Sequence, residues 1–285
     1  MISMVRMAVL ALALTACSGQ PPASPTASAQ QAPSGLAIAV GTDGFVTGVN
    51  RVPFVAFDAG RPATGYVSAE VDLYAVGSGD PQSVWHGEAV SYPDYDIPYW
   101  VTYPDFPQAG LWVLVVHLKA ADGNVTDDQF AVQAADSSGS PQVGQAPPAS
   151  HNRTLGTEPD ISKLSSDLDP DPDLYQMTVE EALQSGRPTV VTFATPAYCT
   201  SRMCAPVLNS VKAVAGGLKD RINFIHIEVY KQFKPLVYAD EMEEWGLTSE
   251  PWTFIIDADG SVAARLGGPL SPNELLQTLS ALGPE

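Results

Sequence analysis

Two hydrophobic periodicities meet in this chain, and the seam between them carries neither. In residues 66–74 the apolar Val67, Ala69, Val71 and Leu73 alternate with Ser68, Glu70 and Asp72. A period of two places alternate side chains on opposite faces of a strand buried on one side. Residues 54–57, 111–118 and 129–133 add apolar runs of strand length, separated by turn material at 77–81 and at Asp122-Gly123. No segment between residues 36 and 133 keeps a helical period. This region therefore reads as an all-β sandwich. Residues 134–152, rich in Ser, Gly, Pro and Gln, read as an interdomain linker.

Beyond the seam the pattern changes. An acidic, proline-spaced extension covers residues 158–173. Thr178-Val-Glu-Glu181 is then a capping box, in which a threonine hydroxyl and a glutamate three residues on satisfy free N–H groups at a helix start. Strands are predicted over 188–194, 222–229, 252–257 and 261–265, with the last two joined through Asp259-Gly260. Helices are predicted over 205–218, 238–245 and 272–282.

The order βαβαββα behind a leading helix, together with several residues in sequence, resembles the thioredoxin fold. Cys199 follows the first strand and begins a helix, and Ala205-Pro206 lies inside that helix. Trp245-Gly246-Leu247 precedes Pro251, at the family's cis-proline position, and Gly267-Gly268 follows the last strand. The resemblance implies an α/β domain, a central mixed sheet flanked by helices, within residues 153–285. Residues 106–116 of the β region resemble the penultimate strand of immunoglobulin-like domains on exported bacterial proteins. The expected architecture is an immunoglobulin-like sandwich followed by a thioredoxin-like domain.

Charge and the N-terminus narrow the function classes. The 285 residues carry 32 Asp and Glu against 14 Lys and Arg, a net charge of -18. Such a surface repels a phosphate backbone, so no nucleic-acid partner is expected. Arg6 and the apolar residues 7–14 read as an export signal, too short to span a bilayer. It ends in Leu14-Thr15-Ala16-Cys17, which resembles the lipobox of bacterial lipoproteins. That resemblance implies lipidation of Cys17, a flexible tether over residues 18–35, and a cell-envelope location outside the cytoplasm, anchored to the membrane by lipid.

Once Cys17 is assigned to lipid, Cys199 and Cys204 are the remaining thiols of the chain. The thioredoxin resemblance makes Cys199 the attacking sulfur, favoured as a thiolate by the free N–H groups of a helix start. That family places a resolving cysteine three residues on, where Arg202 stands here, and the second thiol is Cys204. Within a regular helix, residues five apart lie roughly 8.7 Å from each other, whereas a disulfide needs Cα atoms within about 7 Å. The pair can therefore bridge only if Cys199 lies on the loop ahead of the helix. Arg202 is a candidate to stabilise the Cys199 thiolate. Glu250, Pro251 and Trp252 are expected to line a substrate groove.

Three readings of the dithiol follow: exchange with cysteine-bearing envelope or secreted proteins, a structural disulfide bracing a binding or assembly module, and metal capture. Exchange leads. The carboxylate that the family buries beneath the site is not evident, since Thr192 and Phe193 stand near its place. Copper-delivery members resemble a Cys-x-x-x-Cys pair with a histidine just ahead of the cis-proline. Here His226 is the histidine of the domain, on a strand where a packed role is expected. No metal ligand set and no cofactor are assigned. Asp169, Asp171, Asp173 and Glu180 have calcium-loop spacing, but Leu174 occupies the position that needs glycine. The aromatic, acidic residues 92–106 read as strand and loop aromatics that close the sandwich, with a partner or ligand platform as the functional alternative.

Overall fold

The computed structural model describes residues 35–77 and 82–283. Cys17, the export signal and residues 18–34 of the tether lie outside the described residues. No helix among those described is long and apolar enough to cross a membrane.

The N-terminal region is built from β1 (Leu36–Val40), β2 (Phe45–Val46), β3 (Gly48–Val49), β4 (Val52–Asp58), β5 (Arg61–Pro62) and β6 (Tyr66–Ala75). It continues through β7 (Trp85–Tyr92), β8 (Tyr99–Thr102), β9 (Asp105–Phe106), β10 (Gly110–Ala120) and β11 (Val125–Ala135). Nine of these strands form one sheet in the order β1-β4-β8-β7-β6-β10-β11-β2, with β5 on β4. Strand β7 pairs with β6 through Trp85–Ala89 and with β8 through Val90–Tyr92, so the sheet turns over along this strand. At the far side the Ile38 N–H of β1 donates to Asp128 on β11 (2.8 Å), bringing the two ends together. The expected alternation is present: Trp112, Leu114, Val116 and Leu118 of β10 point into a core shared with Phe54 and Leu73.

The C-terminal region follows the predicted order with one hairpin added between residues 230 and 238. It comprises α1 (Val179–Gln184), β12 (Thr189–Ala194), α2 (Cys204–Leu218), β13 (Asn223–Glu228), β14 (Tyr230–Phe233), β15 (Leu236–Tyr238), α3 (Asp240–Glu244), β16 (Trp252–Ile256), β17 (Val262–Gly267) and α4 (Pro272–Ser280). The capping box at Thr178 is formed, with Thr178 and Glu181 each bonding the other's backbone N–H. The four-stranded sheet runs β13-β12-β16-β17, parallel between β12 and β13 and antiparallel elsewhere. Both faces are covered. Val190 and Ile255 pack with α2 and α4, while Val191 and Phe193 pack with α1 and α3.

Two expectations need correction. Residues 134–152 join the two regions but are not a free linker, and β11 extends to Ala135. Gln145 and Gly144 pair through their backbones with Val262, Ser140 and Gln142 accept from Arg265, and Ser150 accepts from the Trp245 indole (3.0 Å). A polar, Gly- and Pro-rich composition reports a chain unfit for helix or long strand. It does not report whether that chain finds partners. Second, the helix predicted over 238–245 shrinks to Asp240–Glu244, because Tyr238 belongs to a hairpin and stacks on Tyr230 at 5.0 Å. Helix α2 begins at Cys204, one residue ahead of the predicted start, which leaves Cys199 on the preceding loop, where a bridge to Cys204 requires it.

The two regions share one core. Tyr92, Tyr95 and Tyr99 pack in the same buried cluster as Val207 and Leu208 of α2. Tyrosines of the aromatic stretch 92–106 thus lie at the interface between the two regions. A buried ion pair seals it. Arg51 donates to Glu274 of α4 (2.6 and 2.8 Å) and to the carbonyls of Gly267 and Pro269, and Tyr99 donates its hydroxyl to Glu274. Burial alone would lower the Arg51 pKa, but the Glu274 charge and hydrogen bonds raise it. The guanidinium therefore stays charged.

Candidate dithiol site

Strand β12 ends at Ala194, and the chain then needs nine residues to reach the start of α2. Pro196 cannot donate to a sheet ladder, which suits a strand exit. Arg202 takes φ +62, a left-handed conformation that reverses the loop just ahead of the helix. This reversal folds Cys199 back over the helix start. The N-cap residue Met203 makes no side-chain cap bond. Instead Cys199 Sγ accepts the N–H of Cys204, the first helical residue, at 3.3 Å, and meets the Ser201 hydroxyl at 3.1 Å. The sulfur takes the role that a serine or aspartate oxygen usually plays at a helix N-terminus.

Both cysteines are free thiols, with their sulfurs within 4.8 Å of each other. Cys199 is partly exposed and Cys204 is fully buried. Cys199 is pushed down to about 5, first by the hydrogen bond from the Cys204 thiol and then, against burial, by Ser201 and the N–H groups of Cys204 and Met203. Cys204 moves the other way, raised by its bond to Cys199 and by burial. The pair thus holds one proton between two sulfurs. The outer sulfur is a thiolate and the inner one a thiol.

Arg202, expected to stabilise the Cys199 thiolate, stands three residues on, at the end of the loop. Its side chain is exposed, and it is not among the principal groups that lower the Cys199 pKa. Its part in the site is the backbone reversal. The Glu250–Pro251 bond is cis, and the Pro251 carbonyl accepts the Gly268 N–H at 2.9 Å, tying this loop to the end of β17. Trp252 departs from the expected groove. It is 6% exposed, stacks on Phe254, and lies beneath the Arg265 guanidinium at 5.1 Å. Strand alternation turns it toward the N-terminal region, where a Cβ on Gly44 would meet its ring.

Glu250 is brought closest to the sulfurs. A carboxylate oxygen of Glu250 and the two sulfurs all lie within 4.8 Å of one another, the single group among the described residues with ligand geometry for a metal ion. The set is two sulfurs and a carboxylate, and no histidine takes part. His226 is buried, bonded to the Tyr175 hydroxyl (2.7 Å) and to the Ala194 carbonyl (3.0 Å), and burial lowers its pKa. The acids of the calcium-like spacing are likewise engaged: Asp173 pairs with Lys219, and Asp171 caps a short 3-10 turn. Thr192 and Thr253, both fully buried, place their hydroxyls 3.2 Å apart on the two central strands.

Two contributors carry no sequence signal. Tyr95 reaches across from the N-terminal region, and its hydroxyl donates to the Met203 carbonyl at 3.3 Å. Tyr198, beside Cys199, stacks on Phe233 at 5.3 Å, which fixes the loop against the β14–β15 hairpin. Both depend on long-range packing that no local spacing announces.

The family model of the thioredoxin-like domain matches residues 175–283. Over 103 residues the chain is similar to the thioredoxin-like protein HCF164, chloroplastic, of Arabidopsis thaliana (28% identical) and of Oryza sativa subsp. japonica (30%). The match covers 36% of this chain and only 37% of each relative's length. Among solved structures, a thiol:disulfide interchange protein of the thioredoxin family from Chlorobium tepidum TLS is similar at 22% identity and a TM-score of 0.30, over 36% of this chain and 84% of that one. With its sheet order, its cis-proline and its matched family model, the C-terminal part of the chain, residues 175–283, is a thioredoxin-like domain.

Proposed function

We propose that the protein exchanges disulfides with cysteine-bearing envelope or secreted proteins while anchored to the membrane through lipid on Cys17. The observation that carries this reading is the division of labour between the sulfurs. Cys199 is accessible and ionised well below neutral pH, and Cys204 waits behind it within 4.8 Å. A thiolate is the attacking species in exchange, and a reactive cysteine sits partly exposed among groups that favour its charge.

In the reducing direction, the Cys199 thiolate attacks one sulfur of a partner disulfide. A Cys199–partner bond forms and the other partner sulfur leaves with the electron pair. Cys204 then attacks Cys199 Sγ, the internal disulfide forms, and the second partner thiolate departs. Two electrons pass from the dithiol to the partner. Oxidation of a partner dithiol is the same sequence reversed. Glu250 and cis-Pro251 border the position of the attacked sulfur, and the N-terminal sheet, read as an immunoglobulin-like sandwich, buttresses the loop through Tyr95.

Purified protein with Cys204→Ser is expected to accumulate mixed disulfides that gel electrophoresis detects without reductant, and Cys199→Ser to capture none. The wild-type pair is expected to have a reduction potential less negative than about -300 mV, the level below which structural bridges lie. A more negative potential, with no captured partner, would favour the alternative of a binding module braced by its disulfide. Metal capture also has an observation in its favour, the Cys199, Cys204 and Glu250 ligand group. Zinc titration of the reduced protein by calorimetry tests it, with stoichiometric, tight uptake as the supporting result.

A further inference from the structure

Resolution of a mixed disulfide poses a proton problem that the resting dithiol does not have. At rest, Cys204 shares its proton with the Cys199 thiolate. Once Cys199 is bonded to a partner, its sulfur carries no charge and ceases to be a strong acceptor. Cys204 must nevertheless lose its proton to become the attacking thiolate. It is fully buried, so bulk water does not reach it. The Thr195 N–H directed at it can only donate. The threonine hydroxyls of the two central strands, Thr192 and Thr253, are bonded to each other.

Glu250 is the carboxylate positioned for this step. Its oxygen lies within 4.8 Å of both sulfurs, and it sits on the cis-proline loop rather than beneath the sheet. We propose that Glu250 accepts the Cys204 proton as Cys204 attacks the mixed disulfide and delivers it to the departing partner sulfur. The step balances. The proton moves from Cys204 Sγ to Glu250, the Cys204 sulfur bonds to Cys199 Sγ, the Cys199–partner bond breaks, and the partner leaves as a thiolate that Glu250 protonates. No external oxidant or reductant enters. This inference rests on the exchange reading above.

The surroundings time the transfer. Burial raises the Glu250 pKa, and the Cys199 negative charge raises it further, as does Asp43. When Cys199 becomes disulfide-bonded, its share of that repulsion disappears and Glu250 ionises more readily. The acceptor is therefore readied by the event that creates the demand. The titratable groups facing Glu250 are Cys199 and Cys204 from the active loop and α2, Asp43 from the N-terminal region, and Tyr230 from β14. Asp43 is already engaged with the Ser249 hydroxyl at 2.7 Å.

The test uses the whole reduced protein and 5,5′-dithiobis(2-nitrobenzoate), whose coloured thiolate leaves twice. The first release reports attack by Cys199 and the second reports resolution by Cys204. Wild type is expected to show two phases. Glu250→Gln is expected still to release a first equivalent, showing that fold and nucleophile survive, and to slow the second phase relative to the first by about 10²-fold, the usual contribution of a positioned proton acceptor. Glu250→Asp should restore part of that rate, and the second phase of Glu250→Gln should rise steadily with pH instead of levelling off. A second phase in Glu250→Gln within about twofold of wild type at every pH overturns the proposal and leaves the exchange reading standing. A wild-type protein that releases no first equivalent overturns both.

Discussion

Helix α2 brings no Ser, Thr, Asp or Asn to its N-cap position, where Met203 stands. The free N–H of Cys204 instead meets the Cys199 sulfur, so hydrogen bonding and the partial positive charge of a helix start act on one atom. The Cys204 thiol adds the largest single effect. Alkylation of Cys199 by iodoacetamide should follow thiolate formation with a midpoint near pH 5, falling away below it. A hydrogen bond to a charged group contributes about 1.5–3 kcal/mol, so Cys204→Ala should move that midpoint up by about one to two pH units. Arg202→Ala should leave it nearly in place, since the arginine contributes a backbone turn rather than a charge. The ratio of alkylation rates across pH distinguishes these outcomes.

Elements meet most closely where β17 leaves the sheet. Gly268 has φ +79, and a Cβ there would lie 2.0 Å from the carbonyl oxygen of Gly41 in the N-terminal region. Neither atom belongs to a flexible side chain. Gly268→Ala should therefore lower the unfolding free energy by at least about 2 kcal/mol, from left-handed strain plus displaced backbone, read as a lower urea midpoint. The glycine itself was legible in the sequence as the residue after the last strand, but its partner was not, because Gly41 is more than two hundred positions away. The same division holds elsewhere. Local rules identified the capping box at Thr178 and the buried strand predicted over 188–194, and the family resemblance marked Pro251 as the cis-proline. They misread the β14–β15 hairpin, where stacking of Tyr230 on Tyr238 overrides an apparent helical start. The cysteine pair was readable as a site from spacing and family resemblance. Glu250 was visible only as a groove residue, because its approach to both sulfurs depends on how the proline loop docks against the α2 start.

The molecule as a whole is held by a charge buried between its two regions. Arg51 and Glu274 expose only 4% and 1% of their side chains. Removing one partner from a buried pair leaves the other uncompensated, at a cost of about 3–5 kcal/mol. Arg51→Met or Glu274→Leu alone should each show that loss in equilibrium unfolding, and the double variant should recover much of it. Residues 134–152 read as an interdomain linker, yet the tyrosines at 92, 95 and 99 belong to the core that α2 and α4 complete. Those partners are separated by a long stretch of chain: Arg51 and Glu274 stand 223 positions apart. During synthesis the sheet is therefore made first but cannot finish. Its guanidinium and aromatic face stay open to water until α4 has emerged, and a chain stopped short of that helix presents this sticky surface to quality control instead of folding as a smaller unit.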